Sequence, residues 1–183
     1  MSTQTTITRA ADLPRVPWRN GQGLTTEIAL GGDRDDFTWR VSVAEVTRSG
    51  DFSAFPGIDR IIVLVEGGAM TLHLPGHTQR LRTDEPFAFD GGIPVRCTVE
   101  QPTRDLNVMT RRGAARATLA VRAVTAEPDD VPAAGTVVLV VLDGTVVLDG
   151  IALETGDVAV SGARLRLSGV GRVAIARIEI TGQ

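Results

Sequence analysis

The stretch "IVLVEGGAMTLHL", residues 62–74, has a counterpart in "VLVVLDGTVVLDG", residues 138–150. In both, β-branched and apolar residues run up to an acidic-Gly pair and resume after it. The pair is Glu66-Gly67 in the first and Asp143-Gly144 in the second. Each reads as strand, tight turn, strand. A second match follows in the same order. "PFAFDGGIPVRC" (86–97) stands against "DVAVSGARLRL" (157–167), with Asp90-Gly91 opposite Ser161-Gly162. All β-hairpins look somewhat alike, yet two matched turns in one order point to a duplicated unit.

The rest of the chain agrees with a β reading. Long helical periodicity is nearly absent, and any helix should be a single turn. "DFTWRVSVAEV" (36–46) puts Phe37, Trp39, Val41 and Val43 on one face and Thr38, Arg40, Ser42 and Ala44 on the other. Short runs of this kind, separated by Gly, Pro and Asp, indicate a sandwich or barrel. "TAEPDDVPAAG" (125–135) is acidic and poor in large apolar groups, so it reads as a linker. The expectation is an all-β bicupin: two cupin-like β-barrels or sandwiches in one compact chain. Residues 1–124 would form the N-terminal half, 125–135 the linker and 136–183 the C-terminal half.

Composition removes several function classes. The chain has 183 residues, 43% of them hydrophobic, so a core can form without covalent staples. Net charge is −3 and no stretch is basic enough for a nucleic-acid footprint, so no nucleic-acid partner is expected. No apolar run approaches the length of a membrane span, and the first twenty residues lack a signal-peptide core. A cytoplasmic protein without membrane contact is the expectation. All 19 basic residues are arginine, which excludes Schiff-base and P-loop lysines. Tyrosine is absent too, which removes phenolic general acids. Cys97 is the single cysteine and reads as a small buried hydrophobe.

Catalytic templates fail in turn. A cupin metal is held by histidines at HxH spacing, a carboxylate and a later histidine. Here His73 and His77 are separated by Pro75 and Gly76, and the second half has no histidine. No metal and no other cofactor is expected. There is no GxSxG elbow. "NGQG" gives a GxG without the βαβ setting of a dinucleotide site.

What remains is a set of polar side chains on strands that would ordinarily be apolar. In "DLNVMTRRG" (105–113), Asp105, Asn107, Met109 and Arg111 share one face, which could turn either to water or into a cavity. Arg40 and Ser42 share a face in "TWRVS". Arg60 shares one with Ile62 and Leu64. "PWRNGQGLTTEIAL" gathers Trp18, Asn20, Thr25 and Glu27 around glycines. Singly, each has an ordinary explanation: an exposed strand arginine, a strand-end ion pair with Asp59, a core plug, an Asn-Gly turn. Together, arginine and amide side chains recurring on apolar strands suggest a polar pocket. Such a pocket suits a small carboxylate, since arginine offers a planar two-pronged donor.

"PWRNGQGLTTEIA", "TWRVSVAEV", "GDFSAFPGIDRIIVLVEGGAMTL", "FAFDG" and "DLNVMTRRG" resemble, in this order from about residue 14 to residue 113, the HutD/Ves family. One departure is Gln22, which occupies a position where the family turn reads like NGGG. The resemblance implies a metal-free bicupin tied to histidine utilisation or stress responses. It also implies a non-enzymatic role: binding a pathway metabolite, N-formylglutamate being the usual suggestion, and so tuning the pathway.

On that reading Arg60 and Arg111 hold a carboxylate, with Arg40 as a third arginine. Asn20 and Asn107 orient the amide or formyl group, Asp105 orients its neighbours, Glu27 belongs to the same polar set, and Trp18 walls the pocket. Arg112, on the opposite face, should be dispensable. The alternative is a metal-independent isomerase, lyase or hydrolase with Glu27 or Asp105 as general base. A third reading is a scaffold with a vestigial pocket. A homodimer is the default assembly.

Overall fold

The computed structural model describes residues 4–18, 23–133 and 135–182. The turn-punctuated, β-branched chain forms strands β1 (Thr6–Thr8), β2 (Arg15–Pro17), β3 (Gly23–Gly32), β4 (Phe37–Val46), β5 (Gly50–Asp51) and β6 (Ile58–Gly67). It continues with β7 (Met70–Leu74), β8 (His77–Leu81), β9 (Phe87–Asp90), β10 (Arg96–Val99), β11 (Thr103–Arg111) and β12 (Ala115–Val124). Strands β13 (Asp129–Val131), β14 (Thr136–Leu148), β15 (Ile151–Glu154), β16 (Val158–Ser161) and β17 (Leu165–Ile180) complete it. One 3-10 turn, Ala10–Asp12, is the helical element among the described residues. None of this includes a helix long and apolar enough to cross a membrane.

The chain is an all-β bicupin whose halves are sandwich-like and not closed barrels. One compact unit covers Pro14–Arg116; the other holds the residues up to Leu13 and Ala117–Thr181. The expected halves met at 125–135, whereas the units divide near residues 13 and 116. Hydrogen bonding explains the difference. β1 pairs with β16, joining the N-terminal residues to the second unit. Buried Asp157 fastens them, accepting from Arg9 Nη1 at 2.6 Å and from the Ala10 backbone N–H at 2.9 Å. β12 lies beside β17. The segment read as a linker contains β13, which pairs with β17 through Asp130↔Arg166.

The first unit stacks a six-stranded sheet, β2-β3-β4-β11-β6-β9, on a four-stranded sheet, β5-β10-β7-β8. Ala44, Val46, Ile62 and Leu64 of the larger sheet meet Leu72, Leu74, Val95 and Cys97 in one core. The second unit is built on a seven-stranded sheet along β1-β16-β14-β17-β12, with β13 and β15 at its margins.

The acidic-Gly pairs are bends and not hairpin turns. After Gly67 the chain leaves the six-stranded sheet and enters the other as β7. Asp143-Gly144 lies inside the single long strand β14. Both bends use the same devices. One extra residue, Val65 in β6 and Leu142 in β14, interrupts the register two positions before the glycine. This bulge reverses side-chain parity, so Val137, Leu139 and Val141 before it and Val146 and Leu148 after it all reach one core. Gly67 and Gly144 have φ of +96° and +77°. A Cβ there would lie 2.5 Å from Pro102 O and 2.2 Å from Val170 O. The second matched turn also repeats: Asp90 Oδ1 accepts the Gly92 N–H at 2.8 Å, and Ser161 Oγ accepts the Ala163 N–H at 3.0 Å.

Gly144→Ala should therefore lower the unfolding free energy by about 1–3 kcal/mol from backbone strain, with the Val170 contact adding to it. Gly76→Ala is the control, because Gly76 has φ +83° but no heavy atom within 4 Å of the added Cβ. Urea unfolding of both variants should give the larger loss for Gly144; equal losses would show that the close approach adds nothing.

Candidate functional site

β4, β11 and β6 are neighbours in the first unit, and their register arranges inward side chains in rows. Ala44, Asp105 and Leu64 form one row. Ser42, Asn107 and Ile62 form the next, and Arg40, Met109 and Arg60 a third. Ala44, Ile62 and Leu64 belong to the apolar core. The same sheet face thus turns from apolar to polar along its strands. Its polar part borders a cavity of about 640 Å³, lined among others by Trp18, Thr25, Arg40, Ser42, Phe52, Phe55, Arg60, Asp105, Asn107 and Met109. The polar face of 105–109 therefore borders a cavity and not open water.

Arg60 is 6% exposed. Three phenyl rings surround its guanidinium carbon, with centroids at 4.9 Å (Phe89), 5.3 Å (Phe52) and 5.8 Å (Phe55). Phe89 is its cross-strand neighbour on β9. Such faces attract a cation electrostatically. Arg60 Nη2 donates to Asn107 Oδ1 at 2.7 Å, while Arg60 Nε has no hydrogen-bond partner among the described residues. Burial pulls the guanidinium down to about 10, with Asp105 opposing the shift, so it stays cationic at neutral pH.

Asn107 Nδ2 donates to Asp105 Oδ1, completing the chain Arg60–Asn107–Asp105. Asp105 is fully buried, and its Oδ2 has no hydrogen-bond partner among the described residues. Burial pushes its carboxyl up to about 7, against the opposing pull of Arg60 and Asn107. Cys97 is buried in the adjoining core, and burial together with Asp105 pushes its thiol up to about 12. It is the inert residue expected.

Trp18 walls the cavity, its Nε1 donating to Thr25 Oγ1 at 2.7 Å. Glu27 borders a second cavity of about 390 Å³ that shares Trp18, Thr25, Arg40 and Phe55 with the first. Its Oε1 accepts from Arg34 Nη2 at 2.8 Å and its Oε2 lies 3.3 Å from Arg40 Nε. Asn20 and Gln22 lie outside the described residues.

Arg111 departs from the expected cluster and lines neither cavity. It shares the face of Met109, but Met109 packs with Phe37, Ile58 and Phe55 and closes off that end. Arg111 lies beyond this plug, pairing with Asp36 at 2.6 Å and donating to Phe37 O. Arg112 is held outside by Asp59 and Asp90.

Strand periodicity missed Phe52, Phe55 and Arg34, which lie outside the strands. The available signal was "GDFSAFPG" (50–57), where two aromatic residues stand three apart in a Gly/Pro-bounded loop. Backbone bonds from Phe52 to Val95 O and from Phe55 to Gly91 O tie that loop down. His73 and His77 are both exposed, His73 sharing a 2.9 Å hydrogen bond with Thr98. Among the described residues no three His, Cys, Asp or Glu side chains gather as a metal site. The N–H donors bordering the cavity, on Arg60, Arg40 and Asn107, suit an anion.

Relatives share this framework. Protein Ves from Citrobacter koseri is 40% identical over 117 residues, 60% of this chain and 61% of that protein. An uncharacterised 21.2 kDa protein from the hutC 3′ region of Pseudomonas putida is 41% identical over 110 residues, 58% of each. The chain thus spans about three fifths of the length of the curated relatives it matches. A conserved protein of unknown function from Pseudomonas aeruginosa PAO1 superposes with a TM-score of 0.85 at 34% identity, covering 96% of this chain and 99% of that one. HutD from Pseudomonas fluorescens SBW25 (formate condition) gives 0.85 at 29% identity, covering 98% and 100%. A bacterial pirin from Escherichia coli in complex with nickel(II), at 10% identity and a TM-score of 0.71 over 94% of this chain and 98% of that one, shares the fold alone. The HutD family model matches residues 10–176, spanning most of both sandwich units, and the chain belongs to the HutD family.

Proposed function

We propose that this protein binds a small carboxylate metabolite in the 640 Å³ cavity of its first unit and acts as a non-enzymatic regulatory component of histidine utilisation. The observation that carries the binding reading is Arg60. Its guanidinium is cationic and buried, is held by Asn107 and by phenyl faces, and borders the cavity. A carboxylate accepts such a planar donor edge, and the partly apolar lining of Trp18, Phe52 and Phe55 accommodates a short carbon chain. N-formylglutamate has the matching chemistry: acids for the arginines and a formamide for Asn107. Localisation in the cytoplasm, where such metabolites are made and consumed, belongs to the same reading.

Asp105 supports a second reading. A cavity-lining carboxyl near 7 is where a general base would be placed. On that reading the protein is a metal-independent isomerase, lyase or hydrolase for a similar acid.

Arg60→Ala should weaken N-formylglutamate binding by roughly 1.5–3 kcal/mol, the range for hydrogen bonds to charged groups, whereas Arg111→Ala leaves it unchanged. Calorimetry decides; equal affinity for wild type and Arg60→Ala removes Arg60 from the site. In a thermal-shift screen of N-formylglutamate, glutamate, urocanate, imidazolonepropionate and formate, a ligand at about 100 times its Kd stabilises the fold by about 2.7 kcal/mol. No stabilisation by any of them counts against binding. Turnover of any of them that Asp105→Asn abolishes, with binding intact, replaces the regulatory reading with the enzymatic one.

A further inference from the structure

We propose that Asp105 is the proton-coupled group of this site: an oxyanion docking on Arg60 binds together with a proton on Asp105. This rests on the binding reading above. The geometry that carries it is the fixed direction of the Arg60–Asn107–Asp105 chain. Asn107 Oδ1 is committed to Arg60 Nη2, so its amide N–H₂ must face Asp105. Asp105 Oδ1 is thereby satisfied, and Oδ2 is left without a partner among the described residues, on a fully buried side chain that lines the cavity. Its row neighbours, Ala44 and Leu64, offer no hydrogen-bonding side chain.

An ionised Asp105 would face the bound anion across a poorly solvated space, where like charges repel strongly. Protonated, the same carboxyl carries no charge to oppose the anion. The balance is simple: one proton leaves the buffer, one O–H bond forms on Oδ2, and nothing is oxidised or reduced.

The other charged or titratable groups facing Asp105 do not take this role. Arg60 on β6 stays cationic, and Arg40 on β4 is engaged with Glu27. The Cys97 thiol on β10 stays protonated at about 12. Asp51 on β5 is largely exposed and lies 3.6 Å from Arg96. Asp105 alone combines full burial with a carboxyl near 7.

The test is titration calorimetry of the full chain with N-formylglutamate and with formate, at pH 5.5 and pH 8, at each pH in two amine buffers of different ionisation heat and free of added oxyanions. Binding at pH 8 should take up close to one proton, read from the difference in heat between the two buffers, and binding at pH 5.5 close to none. Affinity should fall about tenfold per pH unit above 7. Asp105→Asn should bind without proton uptake and with affinity independent of pH. Infrared difference spectra of the wild type at pH 8 give a measure that needs no variant: a protonated-carboxyl band should appear on ligand addition. Binding at pH 8 without proton uptake and without that band overturns the inference and leaves the binding reading standing. No heat with either ligand at either pH overturns both.

Discussion

A guanidinium buried inside a β-sandwich has to be compensated, and the compensation of Arg60 organises the first unit. Moving a charge out of water costs several kcal/mol unless hydrogen bonds and polarizable neighbours offset it. Phe52, Phe55 and Phe89 supply ring faces, and Asn107 supplies the acceptor. The consequences spread outward. The 50–57 loop has to be pinned by backbone bonds so that two of those rings stay in place. Asn107 has to point its amide nitrogen at Asp105, which leaves the second carboxyl oxygen of Asp105 without a hydrogen-bond partner among the described residues.

Much of this was legible in the sequence because it is periodic. Alternation along 105–109 puts Asp105, Asn107 and Met109 on one face, and alternation along 57–65 puts Arg60 with Ile62 and Leu64. The register then brings those faces together. Where the reading failed, a non-periodic cause was at work. Arg111 has the right parity, but the plug formed by Met109, Phe37 and Ile58 ends the cavity before it. Parity states a side and not a depth. Phe52 and Phe55 sit in a loop, where no period applies. The acidic-Gly pairs read as hairpin turns in the sequence because a glycine at positive φ serves a reversal and a bend equally well. Which one forms depends on the facing strand, and the facing strand is distant in sequence.

That shared bend makes the two units comparable position by position. Counted back from the positive-φ glycine, Arg60 stands seven residues before Gly67, and Val137 stands seven before Gly144. On the facing strands, Asn107 opposite Ile62 corresponds to Ile175 opposite Leu139, and Asp105 opposite Leu64 to Val173 opposite Val141. Val137, Ile175 and Val173 are all buried in the apolar core of the second unit.

The second unit is therefore an internal control for the cost of the polar rows. The same bulge, glycine and strand pairing stand with valine and isoleucine where the first unit has arginine, aspartate and asparagine. The frame does not need the charges, and apolar side chains of similar volume are often the more stable choice at such positions. Structural need does not account for Arg60 and Asp105 at positions where apolar residues suffice. Both border the cavity, and each has a buried polar atom unsatisfied among the described residues. Buried polar groups are ordinarily satisfied, and this departure beside the cavity is what supports the binding reading proposed for it.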